Sequence, residues 1–239
     1  MCRLLGIVAA RTVDFRVLLA ERPRSLATLG EEHRDGWGLA SFDHDGWEVH
    51  KGTEPAAHDP GFRRRASGLR GRVLVSHVRK RTVGVTRLEN SHPFVRDRWV
   101  FAHNGTIEDR DWLARRVSPA RRAQIVGDTD SELFFAHVLT RFDESPHDDA
   151  GRVLASVAAD CRARSGFGSF NFLLSDGARF FVHRRGRGLH VLERRDGRRT
   201  DAIFVASEPM TDEPWREVDD GTLLRIDAST ASVELTAPG

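Results

Sequence analysis

Short β-like runs recur along the whole chain, and this pattern restricts the fold more than any other feature of the sequence. They cover Leu4 to Ala9, Gly38 to Phe42, Val73 to Arg79, Trp99 to His103, Phe170 to Leu174, Phe180 to His183, Ile203 to Ala206 and Leu223 to Ile226. Turn residues punctuate them, notably Asp45-Gly46, Asp176-Gly177, Asp196-Gly197 and Asp220-Gly221, as expected of hairpins. Two segments carry a helical period. Ser131 to Phe142 has Phe134, Val138 and Phe142 four apart, and Arg152 to Arg164 has Val153, Val157 and Cys161 on one stripe. Asp143 to Asp149 reads as the loop between these two helices. Helices set between strand-rich halves do not make a βαβ repeat. The order predicts an α+β fold in which antiparallel sheets are covered by helices.

With 239 residues, the chain is long enough for a single domain with a sizeable core. No apolar run approaches the roughly 20 residues needed to cross a bilayer, and the N-terminus lacks the apolar stretch of a signal peptide, so no membrane association and a cytoplasmic location are expected. The only cysteines, Cys2 and Cys161, cannot form a disulfide framework and sit in no CxxC or zinc-ligand spacing, which suits a reducing compartment. Lys51 and Lys80 are the only lysines among 37 basic residues. Runs such as Arg63, Arg64 and Arg65 lack interleaved stacking aromatics, so they read as a solvated face and no nucleic-acid partner is expected.

Chemistry is concentrated in five segments. In Met1-Cys2-Arg3-Leu4-Leu5-Gly6-Ile7-Val8 a cysteine directly follows the initiator and opens a buried-looking strand. A small second residue permits removal of Met1, and the freed α-amine, with an ordinary pKa of about 7.7 to 8.0, would place a base on the same residue as the thiol. By position alone, a small buried residue at the start of an edge strand is the plainer reading. The second segment, His33-Arg34-Asp35-Gly36-Trp37-Gly38, reads by itself as a tight turn before a strand. In the third, Ser76 to Gly84, alternation puts Val73, Val75, His77 and Arg79 on one face and carries Arg79 to the sheet rim, where a guanidinium can hold a carboxylate through two parallel bonds. His77 reads more simply as a core histidine, and Arg79 as a surface arginine.

The fourth segment, Phe101-Ala102-His103-Asn104-Gly105, reads either as a hairpin turn or as a pair of donors, the Asn104 amide and the Gly105 N–H, converging on a developing oxyanion. In the fifth, Gly127-Asp128-Thr129-Asp130-Ser131-Glu132, Thr129 and Glu132 have capping-box spacing. This places Asp130 at the first position of a helix, whose dipole favours its charged form. That carboxylate either stabilises the helix start alone or binds an ammonium.

Taken in order, MCRLLGIV, HRDGWG, SHVRKRTVG with ENSHPF, AHNG and GDTDSE resemble the class II glutamine amidotransferases, the glutaminase family of N-terminal-nucleophile (Ntn) hydrolases. The resemblance spans about residues 2 to 226, since Val205-Ala206-Ser207-Glu208-Pro209 and Asp220-Gly221-Thr222-Leu223-Leu224 look like the family's closing hairpin region. Single-domain members, including the γ-glutamyl hydrolase of ergothioneine biosynthesis, share the Asp-Gly-Trp-Gly turn.

The resemblance implies a four-layer αββα sandwich of two antiparallel sheets flanked by helices. It also implies a single domain over residues 2–239 after loss of Met1. Cys2 would be nucleophile and, through its α-amine, base. Asn104 and Gly105 would form the oxyanion hole. Arg79 would hold the substrate α-carboxylate and Asp130 its α-ammonium, with Thr82 and His103 joining the substrate-binding set. The implied reaction converts glutamine, through a γ-glutamyl thioester, to glutamate and ammonia. No cofactor or metal is expected, because the histidines include no HExxH or comparable ligand set. The chain departs from the pattern after Arg79: Lys80 and Arg81 stand where familiar relatives place an aromatic and then a small residue. This admits an anionic leaving group, such as that of a γ-glutamyl peptide. No synthase segment follows the glutaminase-like region, so any acceptor for ammonia is expected on another polypeptide. A non-catalytic binding or regulatory protein of the same fold is the reading from a different class.

Overall fold

A computed structural model describes residues 2–197 and 199–236. Thirteen strands are described: β1 (Arg3–Asp14), β2 (Trp37–Asp43), β3 (Gly46–Gly52), β4 (Arg70–Val78), β5 (Phe94–Arg96), β6 (Trp99–Ile107), β7 (Gly168–Ser175), β8 (Arg179–His183), β9 (His190–Asp196), β10 (Arg199–Ala206), β11 (Arg216–Glu217), β12 (Leu223–Asp227) and β13 (Ser232–Leu235). The α-helices are α1 (Leu26–Leu29), α2 (Pro60–Gly68), α3 (Arg110–Ala114), α4 (Pro119–Arg122), α5 (Asp130–Glu144) and α6 (Ala150–Ala163). One sheet has the order β11-β9-β10-β1-β4-β2-β3 and the other β13-β12-β8-β7-β6-β5. Every described strand pair is antiparallel.

Alternation along β1 shows how the layers form. Leu4 and Val8 face the second sheet and pack in one core with Val73, Val75, Val100, Leu173 and Phe180. Leu5, Ile7 and Ala9 face the other way, into a core closed by Leu26 of α1 and by Phe62 and Ala66 of α2. Because successive side chains point to opposite faces, a strand buried on both sides must be apolar at nearly every position. Gly6 is the exception, with a reason: a Cβ there would lie 2.5 Å from the Phe180 ring. On the outer face of the second sheet, Phe101, Phe170 and Phe172 pack under Phe134, Phe135 and Val138 of α5 and Leu154, Val157 and Cys161 of α6. Burying each large apolar side chain contributes about 1.5–3 kcal/mol. The result is the expected αββα sandwich, and Cys161 is a fully buried core thiol.

α5 and α6 match the two helical periods, and the Asp-Gly pairs fall at turns, Asp45-Gly46 between β2 and β3 and Asp176-Gly177 between β7 and β8. Two local patterns resolve in ways that the sequence alone left open. Asn104 and Gly105 do not form a turn, because β6 continues through them to Ile107, paired with β7. The capping box is only half made. Thr129 Oγ1 accepts the Glu132 N–H at 3.2 Å, but the Glu132 carboxylate turns to the N–H groups of Val126 (3.2 Å) and Gly127 (2.6 Å) and to Arg96 (2.8 Å).

The core also contains a titratable group with a predictable effect. His183 is 1% exposed, packed at a tilt against Phe170 and Phe172, and its Nδ1 lies 2.9 Å from the Thr222 carbonyl. Burial pushes its pKa down to about 4. Below pH 6.5 the unfolded chain protonates this ring more readily than the folded one, so its contribution is intact above 6.5 and declines as pH falls towards 4. The loss at pH 4 is about 3 kcal/mol. The melting temperature should therefore fall between pH 7 and 4.5, and fall less steeply in His183→Phe. Equal slopes in the two proteins would show that the ring accepts its proton without penalty.

Candidate active site

Antiparallel register collects the five sequence segments at one end of the two sheets. Arg3 lies opposite Val78, and one step beyond, Cys2 meets the chain leaving β4: the Lys80 N–H donates to Cys2 Sγ at 3.3 Å, and the thiol lies 3.3 Å from the Lys80 carbonyl. Cys2 is partly exposed, yet its thiol sits among protein groups, and burial raises its pKa. The Lys80 N–H and Arg79 pull it down, while Asp130 pushes it up. Arg79 and Asp130 therefore lie close enough to act on the thiol electrostatically. A thiol raised in this way is protonated near neutrality and needs a base to become the nucleophilic thiolate. Removal of Met1, which would supply that base, concerns a position outside the described residues.

Arg79 is 3% exposed, and its guanidinium donates to the carbonyls of Val83 (2.7 Å) and Val85 (3.2 Å). This uses two of five N–H donors and leaves others for a ligand carboxylate. The HRDGWG segment holds this corner. Arg79 N–H donates to the Gly36 carbonyl at 2.8 Å and Asp35 N–H to the Arg79 carbonyl at 3.0 Å. The Asp35 carboxylate accepts from Arg81 N–H (2.9 Å) and Thr86 Oγ1 (3.0 Å), fixing the loop after Arg79. Thr82 is exposed on that loop, with no hydrogen bond to its side chain among the described residues.

The second sheet supplies the facing wall. Asp130 opens α5, is 3% exposed and accepts the Ile107 N–H at 2.7 Å. Ile107 therefore turns its N–H away from β7, and alternate residues on a strand point their N–H groups to the same edge, so Gly105 does so too. The register agrees: Gly105 lies opposite Phe170, whose own N–H is taken by Arg185. The Gly105 N–H thus lies on the edge of β6 that carries the Asp130 carboxylate two residues on, beyond the reach of β5, whose pairing ends at Phe101. Asn104 is 4% exposed, and its Nδ2 donates to Ser207 Oγ at 3.3 Å.

His103 is turned inward, with Nδ1 2.8 Å from Ser131 Oγ and Nε2 3.3 Å from the Ser169 carbonyl. Both nitrogens are engaged, so it braces β6 against α5 and β7. It belongs to a buried row with His77 and His92, whose ring centroids are 4.3 Å apart, and with His92 and His103 6.5 Å apart. Burial pushes all three below the ordinary histidine range, which leaves them neutral at pH 7. Among the described residues, no group of three or more His, Cys, Asp and Glu side chains is placed to hold a metal ion. Ser207 and the Lys80 backbone are the site groups that the sequence reading did not single out. Ser207 lay within the Val205–Pro209 segment, but nothing local distinguishes it.

The family model for class II glutamine amidotransferases matches residues 1–203. The chain belongs to this family. Among relatives, the γ-glutamyl-hercynylcysteine sulfoxide hydrolase of Mycobacterium tuberculosis is 31% identical over 251 residues, covering 99% of this chain and 97% of that one. The fold is shared with solved structures. A glutamine aminotransferase class-II domain protein from Silicibacter pomeroyi superposes with a TM-score of 0.69 at 21% identity over 99% of each chain. Glutamine phosphoribosylpyrophosphate amidotransferase from B. subtilis does so with a TM-score of 0.70 at 20% identity, over 99% of this chain and 50% of that one. Among the described residues, no helix is long and apolar enough to cross a membrane.

Proposed function

We propose that this family member is a cysteine-dependent amidohydrolase that cleaves the γ-amide of glutamine, with residues 2–239 acting as one catalytic unit. What supports this reading is that a buried guanidinium, Arg79, and a buried carboxylate, Asp130, both act electrostatically on the Cys2 thiol. An α-amino acid head carries one carboxylate and one ammonium. A guanidinium and a carboxylate near the nucleophile would read both and deliver the side-chain amide to sulfur.

The Cys2 α-amine takes the thiol proton as sulfur attacks the γ-carbonyl carbon, and the oxyanion is met by Asn104 Nδ2 and the Gly105 N–H. Collapse breaks the C–N bond, the amine returns its proton to the departing nitrogen, and a γ-glutamyl thioester remains. Water, deprotonated by the same amine, then adds to the thioester, expels the thiolate and yields glutamate. Release of the ammonia, either into solution or to an acceptor on another subunit, completes this half of the reaction.

A second reading, hydrolysis of a γ-glutamyl amide larger than glutamine, draws on a specific feature. Lys80 and Arg81 directly follow Arg79, are exposed, and form no ion pair among the described residues. Two cationic residues on the chain that leaves the Lys80 contact with the thiol favour an anionic leaving group. The full-length similarity to the mycobacterial hydrolase is in keeping with this.

The test is to incubate the mature chain with glutamine and with γ-glutamylglycine, measuring glutamate and ammonia. Glutamate and ammonia from glutamine support the first reading, and turnover of γ-glutamylglycine alone supports the second. Absence of both defeats the proposal. Arg79→Ala should raise KM about 100-fold while changing kcat less, since it removes a charge-assisted contact to the substrate head. An unchanged KM would show that Arg79 does not hold the substrate.

A further inference from the structure

Ser207, just past the end of β10, occupies a position that neither the nucleophile nor the head-group residues explain. Its Oγ accepts two hydrogen bonds, from the Leu4 N–H at 2.9 Å and from Asn104 Nδ2 at 3.3 Å. Its own N–H donates to the Leu4 carbonyl at 3.1 Å. Both backbone polar groups of Leu4, a residue 1% exposed and two positions from the thiol, are thus held by this one serine. The same hydroxyl oxygen reaches across to the second sheet and takes one of the two Nδ2 protons of Asn104.

We propose that Ser207 is a positioning residue that sets the Asn104 amide and the Cys2-bearing end of β1 in a fixed relation. This rests on the reading of Asn104 as an oxyanion donor. A carboxamide is planar, so fixing one N–H fixes the direction of the other. With one proton committed to Ser207, the second is aimed from a known point, and the anchor for that aim is also the anchor of the nucleophile strand. An oxyanion donor is effective only if it is oriented before charge develops, because reorientation during the reaction consumes the stabilisation it supplies. Coupling both sheets through one hydroxyl oxygen makes any shift of β1 a shift of the donor as well. A smaller residue at 207 leaves the Leu4 N–H without this acceptor and removes the Asn104 anchor. The Arg79 and Asp130 contacts are untouched.

The test compares wild type, Ser207→Ala, Ser207→Thr, Asn104→Ala and the double variant Asn104→Ala/Ser207→Ala on whichever γ-glutamyl amide the wild type hydrolyses. Ser207→Ala should lower kcat by roughly 100-fold with KM little changed, as for loss of an oriented oxyanion donor, and Ser207→Thr, which keeps the hydroxyl, should recover most of it. Alkylation of Cys2 by iodoacetamide forms no oxyanion and should proceed at the wild-type rate in Ser207→Ala. In the Asn104→Ala background, Ser207→Ala should cause at most a further twofold loss, because the two residues act as one. Multiplicative losses in the double variant, or a kcat for Ser207→Ala within about twofold of wild type, would overturn the proposal.

If the wild type hydrolyses no γ-glutamyl amide, the functional reading fails separately. The Ser207 link is then decided by the Asn104 side-chain NH2 signals in 15N-edited NMR spectra. They should shift towards free-amide values in Ser207→Ala, and unchanged signals would refute the link.

Discussion

Cys2→Ala is expected to reduce glutamate release from γ-glutamyl amides to background while leaving the fold intact. The alanine removes only Sγ, whose described contacts are the weak sulfur hydrogen bonds to the Lys80 backbone, each 3.3 Å, at the rim of the sheets. Loss of such contacts changes stability by about 1 kcal/mol or less, a shift of roughly 2–4 °C in melting temperature for a chain of this size. Under the proposed mechanism the catalytic effect is of another order, because no thioester can form without the sulfur. Cys2→Ser keeps a hydroxyl, but a poorer nucleophile in a site that already disfavours the charged form, so it should also fall by several orders of magnitude. Kinetic assays with thermal melts of both variants make the comparison. Wild-type-like turnover in Cys2→Ala would defeat the assignment of the nucleophile, and a collapsed melt would assign Cys2 to the fold instead.

Gly105→Ala should damage both activity and stability, for a steric reason. A Cβ at this position would lie 1.9 Å from the Ser169 carbonyl oxygen, 2.6 Å from its carbon and 2.7 Å from His103 Nε2. Two of these are backbone atoms of the paired strand, which cannot rotate out of the way as a side chain can. Either β6 and β7 part locally or the Gly105 N–H moves off its edge. The first costs about 1–3 kcal/mol of overpacking strain, and the second removes the proposed oxyanion donor, a contribution of about 3–4 kcal/mol in the transition state. The expected result is a melting temperature lower by several degrees and a kcat reduced at least 100-fold. Asn104→Ala, which introduces no clash, should lose kcat with a much smaller thermal shift. Full activity and an unshifted melt in Gly105→Ala would show that the β6–β7 pairing tolerates a side chain here and that this N–H is not used.

What was legible in the sequence and what was not divides along burial. Strands such as β1, β4, β6 and β7 announce themselves because they are apolar on one or both faces. The unforeseen strands are β3, β5, β9, β11 and β13. β3 is half-exposed, β11 is two residues long, and β13 is mostly exposed. Strands at or near a sheet edge need little apolar alternation, so they leave little pattern. The helices α1, α3 and α4 have four or five residues, too few to display a 3.6-residue period. The Asn104-Gly105 pair misleads in the opposite sense. Locally it is a strong hairpin signal, and tertiary pairing with Asn171 and Phe170 overrides it.

By itself the sequence determined the layer architecture, through the order of strand-like and helix-like periods, and the candidates for chemistry, through five ordered motifs. Only the tertiary structure decided which of those candidates meet. Antiparallel register puts the first strand's beginning beside the ends of β4 and β10, and sheet stacking lays the end of β6 across them. The bond from Leu4 to Ser207 joins residues 203 positions apart, and that from Asn104 to Ser207 joins residues 103 apart. Local periodicity reports which face of an element is buried, and it holds no information on a partner at such separations. Ser207 was therefore indistinguishable from any serine after a strand until the two sheets were in place.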